Sequence, residues 1–339
     1  MRCLSARYLA LSALPCSCGF CIGSLQVDRR LAILTGALVV SCAVYLFWGL
    51  GPRWQFILGL RAPKLAGMLL VGAAIAVATM VFQTLCRNRV LTPQIMGFDA
   101  LYILMQTALI AGLGVSGYAG LSLSAKFGIE VSVMCVAALL LFGTLLGRGT
   151  QDIARLVLTG VILGVMFRSF SGFLARIIDP NAFAVVQAAS FASFTAIEPA
   201  LLPVTGALCI GTIGVALWLA PRLDVLALGR PIAISLGLAH DRLVLAALVI
   251  VAVLVSVATA LVGPVAFFGL LVSGLAHELT GSARHARLLP MAILVACLML
   301  VIGQTLFERM FGLQSTLSVV IEFAGGVFFL WLLLKGRMR

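Results

Sequence analysis

Few side chains in this sequence are placed where they could do chemistry. Three ionisable residues lie inside long apolar runs: Asp99, Arg168 and Glu322. A charge at membrane depth is expensive, so such residues usually mark a substrate or ion pathway. Asp99 falls about one turn past a helix start at Pro93, where the helix dipole favours a carboxylate, and this gives it a structural reading. Glu322 sits in L-S-V-V-I-E-F-A-G-G, and Gly325-Gly326 on the same helix permit close helix contact. Pathway lining and simple interface polarity fit Glu322 equally well. His240, His277 and His285 all fall near charged helix ends, where an ordinary surface histidine is expected. Cys16, Cys18 and Cys21 have no histidine or carboxylate neighbours and do not match an arrangement of paired CxxC motifs, so neither a metal site nor a cofactor is expected. The chain contains no GxxxxGK[ST] loop, no H-E-x-x-H and no nucleophile with a base at useful spacing. It does not read as an enzyme, and any coupling to ATP needs a separate ATPase.

The elements that position these residues follow from hydropathy. Leu243 to Ala276 is 34 residues without a charge, broken only at Gly263-Pro264. As one helix it would span roughly 50 Å, against a hydrocarbon core of about 30 Å, so it reads as two crossings hinged at the Gly-Pro. The composition agrees, with 63% hydrophobic and 10% charged residues and a mean hydropathy of +1.19. The apolar runs are continuous rather than alternating, which excludes a β-barrel and predicts an all-α, polytopic membrane protein. About ten helices are expected, near 31–50, 65–86, 93–115, 129–147, 153–177, 199–220, 243–262, 265–279, 289–307 and 317–334. That leaves little chain for a soluble domain.

An even number of crossings puts both ends on one side. Sixteen of the 23 Lys and Arg then fall on that side, which fixes it as the cytoplasm, N-in and C-in. The net charge of +12 reflects this bias and does not suggest a nucleic-acid partner. Residues 1–30 read as an N-terminal extension, with a mis-assigned start favoured over an eleventh helix: Tyr8 to Gln26 is apolar after Arg2 and Arg7 but lacks a clear cleavage site, and a start near Val27 would leave Asp28-Arg29-Arg30 as a short cytoplasmic N-terminus. The inner loop 221–242 carries Gly229, Pro231 and Gly237, start and stop signals for a short helix too small to span. The outer connection from Arg176 to Glu198 predicts a short helix over a pore mouth. Arg61, Lys64 and Arg309 are basic residues on the side that should be poor in them. Any one reads as a snorkelling anchor; three together suggest docking of an acidic partner.

Three ordered blocks resemble the FecCD-like permeases, the membrane subunits of bacterial ABC importers for iron-siderophores, haem and cobalamin. They are R-A-P-K-L-A-G-M-L-L-V-G-A-A-I-A-V-A-T-M-V-F-Q-T-L-C-R-N-R-V-L-T-P-Q-I-M-G-F-D-A (Arg61 to Ala100), L-A-L-G-R-P-I-A-I-S-L-G-L (Leu226 to Leu238), and Gly263 to Val272 continuing to Arg287-Leu-Leu-Pro290. The family's Asn-Pro is Asn88-Arg89 here, its Pro-His is Ser273-Gly274, and its Glu-Leu-Pro-Val-Gly is Gln314-Ser315-Thr316-Leu317-Ser318. These departures look like the branch that serves catecholate and related siderophores.

The resemblance implies a type II ABC importer permease fold over residues 31–335, in the bacterial inner membrane. The function it implies is movement of a ferric siderophore from periplasm to cytoplasm. The partners would be ABC ATPase subunits, a periplasmic substrate-binding protein, and a second permease in a homo- or heterodimer within the lipid bilayer. Leu228, Gly229, Arg230, Ile232, Ala233, Leu236 and Gly237 would form the ATPase-coupling helix, with Ile232, Ala233 and Leu236 as groove anchors. Arg61, Lys64 and Arg309 would receive the binding protein. Gln83, Asn88, Thr150, Glu322, Gly325 and Gly326 are the candidates for the pathway or its gate. An ion-coupled secondary transporter is the rival reading; it would need inverted repeats and several buried carboxylates. An intramembrane enzyme is weaker still.

Overall fold

The computed structural model describes residues 18–49, 52–147, 153–310 and 317–334, and among them there is no β-strand. Twelve α-helices follow in order: α1 (Cys18–Phe47), α2 (Trp54–Cys86), α3 (Asp99–Gly120), α4 (Leu123–Gly147), α5 (Ile153–Ala175), α6 (Pro180–Ala189), α7 (Leu202–Ala227), α8 (Arg230–Ser235), α9 (His240–Val262), α10 (Phe268–Thr280), α11 (His285–Met310) and α12 (Leu317–Leu334). Ten of them match the ten apolar runs. The remaining two, α6 and α8, are the short helices expected in the outer connection and the inner loop.

Among the described residues, eight helices are long and apolar enough to cross a membrane. The helix α10 is the instructive exception. Its 13 residues rise only about 20 Å, so the segment 263–267 supplies the rest of the depth in non-helical form. Such backbone is tolerated at membrane depth only when enclosed by protein, and Gly263, Pro264 and Val265 are buried. The Gly-Pro hinge is therefore real, but the two arms do not pack as a hairpin. The main neighbours of α9 are α2, α4 and α7, whereas α10 packs on α11, α2 and α12.

The helix α2 stands in the middle, enclosed by α11, α9, α7, α10 and α1. It begins at Trp54, well before the expected 65, because its outer turns carry Arg61, Pro63 and Lys64 and so break the apolar run without breaking the helix. Small residues set its neighbours' approach. A Cβ at Gly72 would meet the α11 backbone at Ala296 and Cys297 at 3.4 Å, and Gly269 of α10 sits directly on Thr79. A second layer joins α3 to α5 and to the π-turn Gln94–Phe98. There Gly97, at φ +102°, lies against Gly164 of α5. Thr107 and Ser171, both buried, share a 2.9 Å hydrogen bond across α3 and α5.

The hinge generates a test. Gly263 has φ 100° and ψ 179°, a conformation open essentially to glycine alone, and an added Cβ would lie 3.1 Å from the Ala192 Cα. The Ser193 N–H also donates to the Val262 carbonyl at 2.8 Å, so the loop after α6 is tied to this point. Gly263→Ala is expected to destabilise the protein by about 1–3 kcal/mol. Gly206→Ala, which would make only an ordinary 3.7 Å contact with Leu70, should be near neutral. Thermal melting in detergent compares the two, and equal midpoints would show that the hinge is not strained.

Candidate functional site

The inner end of the molecule, where the basic residues gather, holds the short helix α8. Gly229 precedes it at φ 100° and ψ 164°, with the Arg87 guanidinium packed against it from the end of α2. Pro231 occupies the first turn. At the other end the Leu238 N–H bonds to the Ala233 carbonyl at 3.0 Å and the Gly237 N–H to Ile234 at 2.9 Å, with Gly237 at φ +81°, a Schellman stop. Arg230 pairs with Asp241 at 3.5 Å on the surface.

One face of α8 packs on α7 and α9, and Ala233 is fully buried in it. This corrects the expectation that Ala233 is a groove anchor facing a partner. The face left open carries Leu228, Ile232, Ile234 and Leu236, each about half exposed or more. Four large apolar side chains, two on the helix and one flanking each end, at a polar membrane surface form an exposed patch.

Beneath α8 lies a polar cluster that the sequence did not reveal. His285, the first residue of α11, is 3% exposed rather than a surface histidine. Its Nδ1 is 2.6 Å from Asp224 Oδ1, on the last turn of α7, and its Nε2 is 2.7 Å from Thr84 Oγ1, on the last turn of α2. The same Asp224 oxygen accepts the His285 backbone N–H at 2.8 Å and so caps α11. Next to Thr84, Gln83 is also buried. Its amide donates to Ser273 Oγ of α10 at 2.9 Å and to the Arg89 carbonyl. Gln83 thus joins α2 to α10. Asn88 accepts the Val90 N–H at 2.9 Å and shapes the turn after α2. Thr150 lies outside the described residues.

At the outer end, Arg61 and Arg309 converge on one target. The Arg61 Nη1 reaches the carbonyls of Tyr45, Leu46 and Trp48 at 3.3, 3.1 and 2.9 Å, and Arg309 donates to the same Trp48 carbonyl from α11. The Arg309 guanidinium also stacks 5.7 Å from the Trp48 ring. Both arginines therefore cap the C-terminus of α1, whose last carbonyls have no helical partner and whose dipole favours cations. Lys64, one turn along α2 from Arg61, is partly exposed.

At membrane depth, Asp99 of α3 lies within electrostatic reach of Arg168 of α5 and Glu322 of α12, with no ion pair joining them among the described residues. Arg168 lies beside Gly164, which faces Gly97. Asp99 Oδ1 is buried and without a hydrogen-bond partner among the described residues. Gly325 presses on Phe267, so the close helix contact expected of the Gly-Gly pair falls on its first member; Gly326 has open space. A third membrane carboxylate escaped the sequence reading: Glu130 of α4 is 3% exposed and accepts from Gln106 of α3 at 2.6 Å, while Tyr118 donates to Gln106 at 2.8 Å. Its place at the edge of an apolar run made it look like the end of a helix, when α4 in fact begins two turns earlier.

Comparison with known proteins gives these features a context. The sequence pattern of the FecCD transport family matches residues 30–335. The chain is 41% identical over 309 residues, 91% of its own length and 98% of the other's, to the petrobactin import system permease protein YclO of Bacillus subtilis. It is 31% identical to the petrobactin import system permease protein FatC of Bacillus anthracis, over 82% of this chain and 78% of that one. A solved structure described as a metal-chelate type ABC transporter in an inward-facing conformation superposes with a TM-score of 0.79, at 23% identity, over 91% of this chain and 99% of that one. The last likeness bears on the fold alone.

The two outer arginines separate a structural from a docking role. If they hold α1, Arg61→Ala should lower stability by about 1–2 kcal/mol in detergent with no partner protein present. Arg61→Lys should recover only part of this, since an ammonium cannot serve three carbonyls in a fixed fork. Lys64→Ala should stay within about 0.5 kcal/mol of the parent. An Arg61→Ala midpoint equal to the parent's would leave the guanidinium free for a partner.

Proposed function

Because the chain belongs to the FecCD transport family, a membrane permease of ABC transporters whose ATPase is a separate subunit, we propose that it carries a ferric siderophore inward across a bacterial inner membrane. The cargo we propose is ferric petrobactin, on the strength of the two import permeases at 41% and 31% identity. The geometric observation that carries the coupling part of this reading is α8, capped at both ends, rooted by Ala233, and presenting Leu228, Ile232 and Leu236 outward.

An amphipathic helix of this kind suits a groove on an ATPase subunit. Closure of the ATPases on ATP must favour one permease conformation over another, and the bias enters through α8. A second permease covers the open face of α5 and α12, so that the pathway runs between the two chains with Glu322 and Gly326 near it. A periplasmic binding protein docks on the outer rim at Lys64 and the exposed Arg309. Arg61 contributes there mainly by holding α1 in place. Residues 1–30 precede the permease domain of 31–335 as an extension, although α1 runs through that boundary without a break.

Co-expression with an ABC ATPase subunit from the same genome tests the reading. The parent chain should co-purify with that subunit and support uptake of radiolabelled ferric petrobactin. Ile232→Asp with Leu236→Asp places two carboxylates on the exposed face of α8, where truncation at an interface centre costs about 2 kcal/mol or more, roughly 30-fold in affinity. Co-purification and uptake should be lost while insertion and melting stay at the parent's level. Intact co-purification of the double variant would remove α8 from the interface, and a parent that takes up no ferric petrobactin would overturn the cargo.

A further inference from the structure

The helix α8 is held by its packing on α7 and α9 and by the Arg230–Asp241 pair; Arg87 lies against Gly229 just before it, and the cluster of Asp224, His285 and Thr84 sits where α7 leads into it. The cluster is the more informative, because its protons can be counted. Thr84 has one hydroxyl proton and two acceptors in reach, the Met80 carbonyl at 2.9 Å and His285 Nε2 at 2.7 Å. If Thr84 donates to Met80, both ring nitrogens of His285 are donors and the pair with Asp224 is ionic. If it donates to Nε2, the ring is neutral and donates from Nδ1 to Asp224. In either state the imidazole bridges α7 and α2, with no ring nitrogen left over.

Such a cluster is a costly way to hold three helices together. Apolar residues of similar size would be neutral or stabilising, whereas a buried polar network specifies one relative placement of its members. The placement specified here is between α7, α11 and α2 at the point where α7 leads into α8. Asp224 is five residues before Gly229, and Thr84 is adjacent to Gln83, which bonds to Ser273 of α10. The helix α10 packs in turn on α12 through Gly274 and Phe328, and through Phe267 and Gly325. A displacement of α8 therefore reaches Asp224 along the chain and has from there a hydrogen-bonded route to α2, with Gln83, next to Thr84, continuing it to α10.

We propose that Asp224, His285 and Thr84 form a clasp that transmits movement of α8 to α2 and α10, as positioning residues for ATP-coupled transport. The inference rests on the permease reading above. It requires that breaking the clasp separate ATP hydrolysis from transport, which loss of a merely structural contact would not do.

The assembled complex of permease, ATPase and binding protein in proteoliposomes provides the test, with the radiolabelled chelate named above. Thr84→Val keeps the side chain's shape and removes the hydroxyl. The complex should assemble, hydrolyse ATP within about twofold of the parent, and move at least about fivefold less chelate per ATP, the lower end of ordinary coupling energies. Thr84→Ser should restore the ratio. Asp224→Asn keeps an acceptor for the α11 cap and supplies a second route to the same result should Thr84→Val fail to fold. The double variant should be no worse than the more affected single one, because both break one unit. An unchanged ratio in an assembled Thr84→Val complex, no rescue by serine, or additive losses would each overturn the clasp. A parent permease that does not assemble with the ATPase would instead reject the importer reading itself.

Discussion

The arrangement depends on one constraint, the close enclosure of α2 by five other helices. Lipid is as apolar as the side chains it would meet, so helices in a bilayer gain little from hiding hydrophobic surface and must be held by packing and by a few polar bonds. Along α2 the contacts are close because the residues are small: Gly67 under Ile197, Gly72 on the backbone of α11, Thr79 on Gly269 of α10. A larger residue at Gly72 would meet the α11 backbone, and one at Gly67 or Gly269 would crowd the side chains of Ile197 and Thr79. The polar bonds then fall at the ends, where Arg61 grips α1 and Thr84 meets His285. Both proposed working surfaces are thereby attached to the same rigid element.

The sequence revealed what depends on local order along the chain. Ten apolar runs became ten helices, and Gly229, Pro231 and Gly237 bounded a real short helix, because capping and proline chemistry act within a few residues. What it concealed depends on which helices meet. His285 looked like a surface residue because it opens a helix in a basic segment, and only the arrival of Asp224 and Thr84 from two other helices buries it. Ala233 looked like part of an outward apolar face, and a six-residue helix gives periodicity too little length to say which side its own chain covers. Arg61 and Arg309 are separated by more than two hundred residues, and nothing in either neighbourhood points to the Trp48 carbonyl they share.

The charges at membrane depth bear on the two transport readings. Asp99, Glu130 and Glu322 give the bundle more carboxylates than the single one the sequence favoured, which taken alone would move the reading toward an ion-coupled carrier. Their surroundings differ, however. Glu130 is enclosed by Gln106, with Tyr118 and Lys126 closing the outer end, a satisfied polar patch between α3 and α4. Asp99 and Glu322 share their corner with Arg168. Family membership assigns the energy source to a separate ATPase, so these groups need no proton or sodium cycle to account for them.

Arg168 then decides what covers α5. The open face of that helix bears Val161, Ile162, Val165, Phe170 and Phe173, a surface that lipid and a partner helix would accept equally. Arginine is not so indifferent: at the centre of a membrane helix it costs at least about 2.5–3.5 kcal/mol to expose to hydrocarbon. Its guanidinium turns back toward Gly164, yet the residue remains exposed on the helix surface. A face that joins large apolar side chains to one charge in this way suits water or protein better than lipid. That is the physical reason behind the proposal that a second permease, with a pathway between the two chains, lies against α5.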